Sequence, residues 1–203
     1  MTGQRQGSVL PVVASGLWMV LSFAAPVSAQ QRPIDTQRST MTVRVFKSGL
    51  FSAFADNHVI KAPVSDGIVE ESSTPRVALA VDVSQMRVWD PGLSQTQRGD
   101  VQARMLGPQV LDASRFTQIR FESTAVEQRG TDRWVVHGTL GLHGQTRPIT
   151  VIVSRERGHY KGETTLLQTD FGITPISIAG GTVRVKDQLA IEFDIVTVGD
   201  KDS

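Results

Sequence analysis

Cysteine is absent from the 203 residues. That removes disulfides, thiolate zinc sites, iron–sulfur clusters and thiol nucleophiles in one step. It also removes the acylated cysteine that a bacterial lipoprotein anchor requires. Aromatic residues are scarce, at 6%, so an interior must be built mainly from Val, Ile, Leu and Ala. Neither sign of charge dominates: 21 Lys+Arg stand against 20 Asp+Glu, for a net charge of +1, with no run of like charges. Nucleic-acid binders carry a basic face or stripe, so no nucleic-acid partner is expected. Nucleophile and metalloprotease signatures of the forms G-x-S-x-G, S-x-x-K and H-E-x-x-H are missing as well. No catalytic residue, metal or cofactor is expected on these grounds.

The N-terminus carries an export pattern. Residues 1–8 hold one charge, Arg5, and an uncharged, mostly apolar stretch follows from Val9 to Ala25. Then come Pro26 and Val27-Ser28-Ala29, with small residues at the two positions that signal peptidase reads. The spacing predicts a signal peptide over residues 1–29, cleaved after Ala29, and a folded domain over 30–200. The alternative is an uncleaved anchor, for which the apolar run is slightly short and is broken by Pro11, Ser15 and Gly16. Cleavage takes away Arg5 and brings the formal charge to zero. The mature chain is then expected to be soluble and periplasmic, with no stable membrane anchor.

Beyond Gln30 the sequence falls into short segments of period two. Met41, Val43 and Val45 alternate with Thr42 and Arg44. Val77, Leu79, Val81 and Val83 share one face, and Ile119 and Phe121 another. Trp134, Val136, Leu140 and Leu142 lie opposite His137, Thr139 and His143. Ile149, Val151 and Val153 repeat the pattern, as do Leu189, Ile191, Phe193 and Ile195. Such runs predict strands with one buried face. Turn signals separate them at Lys47-Ser48-Gly49, Ser65-Asp66-Gly67, Arg129-Gly130-Thr131-Asp132, Arg157-Gly158 and Ala179-Gly180-Gly181. From about Gln97 to Val110, Val101 and Met105 stand at i and i+4 ahead of Gly107-Pro108, which predicts a short helix of about two turns. Seven or eight short strands joined by hairpins mean a sandwich or a barrel, and Gly138, Gly141 and Gly172 fit the bends that barrel closure needs.

The run Gly138-Thr139-Leu140-Gly141-Leu142-His143-Gly144-Gln145-Thr146-Arg147-Pro148-Ile149-Thr150-Val151 resembles the signature of the YceI-like family. The likeness continues in order along the chain, through Ile34-Asp35, Gly49-Leu50-Phe51-Ser52-Ala53-Phe54, Gly99-Asp100 to Phe121, and Thr169-Asp170-Phe171-Gly172-Ile173. Thr117 departs from the family's usual Pro, Leu167-Gln168-Thr169 from its usual Arg, and Asp56-Asn57-His58 from a Gly-rich stretch. The resemblance implies an all-β fold: an extended antiparallel eight-stranded lipocalin-like β-barrel with one short helix, preceded by the signal peptide. It also implies an apolar interior that holds a polyisoprenoid or other long-chain amphiphile. Periodicity alone supports an apolar interior, whether filled with side chains or hollow.

The candidate ligand-binding residues are Val43, Val45, Phe54, His58, Leu79, Val81, Phe121, Trp134, Val136, Leu140, Arg147, Val151, Phe171, Ile191 and Phe193. His58 follows Asp56 by two, on one side of a strand. It is a candidate head-group anchor or Asp-oriented base, and the plainer reading is a half-buried histidine bonded to its neighbour. Arg147 is a candidate for an anionic head group, because its fork fits phosphate or carboxylate; otherwise it is a turn residue before Pro148. His137 and His143, six residues apart on one face, would lie roughly 20 Å apart along a strand and could not share a metal ion. They are expected to face solvent. The expected function is a carrier whose partner is an isoprenoid or fatty-acid-like ligand, with a homodimer allowed. The alternatives are a hydrolase- or isomerase-like enzyme using Asp56 and His58, and a ligand-free structural or stress protein of the envelope.

Overall fold

The structure, a computed structural model, describes residues 2, 3, 30–48, 58–178 and 183–200. Phe54, Asp56, the Ala179-Gly180-Gly181 turn and nearly all of the segment read as a signal peptide lie outside the described residues. Among the described residues the alternating segments become twelve strands: β1 (Gln30–Pro33), β2 (Thr40–Ser48), β3 (His58–Lys61), β4 (Val64–Glu71), β5 (Arg76–Asp82), β6 (Arg87–Val88), β7 (Gln118–Gln128), β8 (Arg133–Leu142), β9 (Gln145–Glu156), β10 (His159–Leu167), β11 (Ser177–Ile178) and β12 (Val183–Val196). Their pairings are antiparallel throughout.

Twelve strands make eight staves. β3 runs into β4 across Ala62-Pro63, where the proline cannot extend a ladder. β5 runs into β6 across the 3-10 turn Val83–Gln85, and β1 into β2 across residues 34–39. β1/β2 lies beside β3/β4, which lies beside β5/β6. Then follow β7, β8, β9, β10 and β12, and β12 returns to β2 with Ile191 opposite Val43. A bridge between Ile34 and Thr197 completes the ring at one end. The fold is the eight-staved barrel rather than a sandwich.

One helix, α1 (Gln95–Leu106), lies across the other end. Ser94 starts it with a capping box: its hydroxyl accepts from the Gln97 amide at 3.2 Å, and the Gln97 side chain accepts from the Ser94 amide at 3.0 Å. Two orphan donors of the first turn are thereby satisfied. The helix runs three turns, one more than the sequence spacing predicts. The Gln102 side chain fastens it to β6, donating to the Met86 carbonyl and accepting from the Val88 amide, both at 2.8 Å.

Three local expectations are corrected. Ser65-Asp66-Gly67 is a bulge inside β4, where the register shifts between Val64 and Asp66. Gly67 is small there because a Cβ would sit 2.5 Å from the Ile34 side chain; the chain reverses later, over residues 72–75. His143 and Gly144, at φ 51° and 74°, form the two-residue turn between β8 and β9, the left-handed pair that suits a tight hairpin. His143 therefore leaves the strand face, is half-buried, and meets the Phe171 carbonyl at 3.2 Å and the edge of Phe116. Gly172, at φ 72°, caps the 3-10 turn Gln168–Phe171 instead of bending a strand.

Candidate functional site

The inward positions of the staves face a hollow of about 600 Å³. β2 contributes Val43 and Val45, β5 Leu79 and Val81, β7 Phe121, and β8 Trp134, Val136 and Leu140. β9 adds Val151, and β12 adds Ile191 and Phe193. Several of these side chains, among them Leu79, Trp134 and Ile191, are only half-buried although they point to the centre. They border open volume, whereas a side-chain-filled barrel of this size has none. The floor is built from the apolar, buried side chains of Met86, Met105 from α1, Leu111, Ile173 and Phe171, the last only 1% exposed.

At the opposite end the apolar lining gives way to a polar rim. Arg32 (β1) pairs with Glu71 (β4) at 3.3 Å and with Asp200, just past β12. Arg155 (β9) reaches Glu71 at 3.6 Å and Asp200 at 3.3 Å. Tyr160 (β10) donates its hydroxyl to Glu71 and packs its ring under the Arg155 guanidinium at 5.1 Å and beside Trp134 at 6.0 Å. Burial, and then the hydrogen bond to Glu71, pushes the Tyr160 phenol well above its ordinary range. For Asp200 burial acts upward, but the hydrogen bonds from Arg32 and Thr197 prevail and hold its carboxyl below the usual range. Arg32 is raised in turn, first of all by its bond to Asp200. The network ties four staves and the chain beyond β12 across the rim.

Two of the sequence candidates lie elsewhere. Arg147 is outside the hollow: its guanidinium donates to the Asp170 carbonyl at 2.9 Å, the Thr146 carbonyl at 3.1 Å and the Gln145 side chain at 3.2 Å. His58 does not line the hollow either, and its Nδ1 meets Asp90 at 2.5 Å. His137 bonds Thr150 at 2.9 Å and His159 bonds Asp194 at 2.6 Å, both on the outside of the barrel. Among the described residues no group of His, Asp and Glu is placed to hold a metal ion. Arg155 and Tyr160, absent from the sequence candidates, do line the hollow. Their only signal in the sequence is parity, since Arg155 continues the inward series Val151 and Val153.

Eight antiparallel staves closed around an apolar hollow, with a helix and a 3-10 turn under it, define a lipocalin-like barrel. The chain belongs to the YceI-like domain family, whose model matches residues 33–197. A UPF0312 protein of Vibrio cholerae is 33% identical over 92 residues, which is 40% of this chain and 47% of that protein. The match thus spans about half the length of this curated relative. Among solved structures, BcnA of Burkholderia cenocepacia has a TM-score of 0.61 at 16% identity, over 80% of this chain and 98% of that one. A polyisoprenoid binding domain from Saccharophagus degradans, implicated in plant cell wall breakdown, has a TM-score of 0.55 at 12% identity, over 82% and 97%. At such identities these two share the fold.

Proposed function

We propose that this protein is a periplasmic carrier that sequesters a polyisoprenoid or similar long-chain amphiphile, and that it acts by binding rather than by catalysis. The observation that carries the reading is the hollow of about 600 Å³ with its apolar walls, a size within the ~300–1,000 Å³ range of small-molecule sites. The polyisoprenoid binding domain of like fold supports the ligand class. The N-terminal pattern of Arg5, the apolar stretch and Val27-Ser28-Ala29 supports export. The Asp56/His58 enzyme gains no support, because His58 does not face the hollow.

Burial alone supplies the affinity. Each methylene moved from water into the hollow contributes about 0.8 kcal/mol. A tail of about six carbons then yields ~5 kcal/mol, near the lower end of the ~4–15 kcal/mol cost of association, whereas about twenty yield ~16 kcal/mol. The hollow therefore selects long tails without a dedicated polar contact.

Native mass spectrometry of the protein purified from a periplasmic extract, followed by solvent extraction, tests the reading. The expected result is a bound apolar chain of several hundred daltons. Val136→Asp, which places a carboxylate in the wall, is expected to abolish retention, and Glu127→Gln on the outer surface to leave it intact. A bare chain that takes up neither isoprenoids nor fatty acids would overturn the carrier.

A further inference from the structure

The ladders between staves do not all run their full length: β5 and β7 pair only as far as Ala78↔Glu122, although β7 runs on to Gln128 at the rim, and a second ladder stops inside the wall. β8 and β9 pair continuously from Arg133↔Ser154 to Leu142↔Gln145. β10 and β12 pair from His159↔Val196 to Leu167↔Gln188. Between these two pairs, β9 and β10 pair only from His159↔Glu156 to Glu163↔Ile152. Past that fork, residues 145–151 and 164–167 have no backbone partner on their facing edges among the described residues. Two bonds cross the gap. The Thr164 hydroxyl donates to the Thr150 carbonyl at 3.4 Å, and Arg147 ties β9 to the 3-10 turn after β10 through the Asp170 carbonyl at 2.9 Å.

The sequence supplies a reason on each flank. Pro148 in β9 cannot donate to a ladder and belongs on an edge. Gly162, at the fork in β10, has no room for a side chain, because a Cβ would lie 2.4 Å from the Ile152 carbonyl and 2.6 Å from the Phe193 ring. That ring lies across β10 where the strands begin to part.

Outside the seam is a groove of about 470 Å³ that includes Arg147, Thr150, Thr165 and Gln188. Ile149, Thr164, Leu166, Leu167 and Phe171 border both this groove and the interior hollow. A single layer of side chains therefore separates the two. Open strand edges inside a sheet are a liability that proteins ordinarily pair or cover, so a sheet that leaves them unpaired beside a hollow needs a reason. At the rim the hollow is bordered by Glu70, Glu71, Arg76, Gln128, Asp132 and Arg155, so an apolar tail leaving by that end passes charged and polar side chains, whereas the seam is bordered by Ile149, Leu166 and Leu167.

We propose that the seam between β9 and β10 is the portal through which an amphiphile's apolar tail enters and leaves the hollow, with Thr150, Thr164 and Thr165 as its polar lip. The inference rests on the carrier reading. Opening requires the Thr164 and Arg147 bonds to release and the side chains of Ile149 and Leu166 to turn aside, while the ladders to β8 and β12 stay whole.

The absence of cysteine makes the test clean. In Thr150→Cys/Thr165→Cys the two new thiols are the only ones in the chain, and the β9–β10 register, if continued, sets these exposed positions opposite each other. Joined after folding by a short bifunctional maleimide, with the bridge verified by mass, they hold the seam shut. A fluorescent polyene fatty acid and a fluorescent polyisoprenoid alcohol, delivered from phosphatidylcholine vesicles, report exchange by stopped flow. The bridge is expected to slow uptake and release together by about tenfold or more, as when opening limits a rate, and Glu71→Gln at the rim to change neither. Ordinary rates in the bridged protein, or faster exchange in Glu71→Gln, would overturn the portal and leave the carrier standing. Uptake of neither probe by the unaltered protein would overturn both.

Discussion

His58 Nδ1 stands 2.5 Å from the Asp90 carboxylate, and the other oxygen of that carboxylate accepts the Val59 amide at 2.7 Å. Asp90 is only 3% exposed. Arg98 of α1 donates to the Asp90 carbonyl at 2.9 Å and to that of Leu93 at 3.1 Å. The arrangement fastens the start of β3 to the segment that leads into the helix. Asp90→Ala leaves buried donors without an acceptor and is expected to cost about 2–3 kcal/mol, read as a lower urea midpoint. Ligand retention in the folded fraction is expected to be unchanged. Lost retention at full stability would return His58 to the binding site.

Gly138 and Gly141 stand on one strand and differ in what surrounds them. A Cβ on Gly138 would meet the Phe121 ring at 2.4 Å and the Glu122 carbonyl at 2.6 Å, whereas one on Gly141 finds nothing nearer than 3.8 Å. Gly138→Ala is therefore expected to cost about 1–3 kcal/mol through overpacking. Gly141→Ala is expected to be neutral or to gain up to about 1 kcal/mol, because it loses less backbone freedom on folding. Equal effects of the two in thermal unfolding would contradict the packing seen around Phe121.

Chain length is the third handle. With apolar walls supplying the affinity, a homologous series of fatty alcohols is expected to tighten by about fourfold per methylene, the equivalent of ~0.8 kcal/mol. The gain should stop once the hollow is full. Titration calorimetry should show a heat capacity of binding that becomes more negative in step. A flat series would mean that the head group, and not the tail, is what the protein holds.

The rim titrates at both extremes. Asp200 is held below its ordinary value of 3.8 by Arg32 and Thr197 against the upward pull of burial, so its contribution is complete above about pH 4 and drains away as the pH falls further. Tyr160 is raised above its ordinary value of 10 by burial and by Glu71. Its contribution is complete below about pH 10 and is lost as the pH climbs above that. Asp200→Asn is expected to flatten the acid limb of the stability curve, and Tyr160→Phe the alkaline limb. Unchanged limbs in both variants would mean that the network does not bear on folding.

Period two made much of the barrel legible, because a strand with one buried face states its own parity. Val43, Leu79, Phe121, Val136, Val151 and Ile191 all point inward as their alternation predicts. Parity is silent on where a stave breaks, so residues 34–39, Ala62-Pro63 and Val83–Gln85 divided three staves into six strands. It also misplaced His143, whose neighbour Gly144 made the pair a hairpin turn. The rim was out of reach for another reason. Arg32 and Asp200 are 168 residues apart, and nothing local in either segment announces the other. Hollowness is equally invisible to patterning, since Leu79 and Trp134 read alike whether they touch a neighbour or an empty volume.

Ring closure makes assembly of this barrel all-or-none. β2 acquires its second neighbour only when β12 arrives, and Ile34 finds Thr197 only at the end of the domain. Until then a growing chain has staves with one greasy face each and no inside to turn them toward. Pairings between such distant stretches are slow to form, on a scale of about milliseconds to seconds. A chain threaded through a narrow channel, from its N-terminal side onward, would thus stay pliable until the last strand had followed.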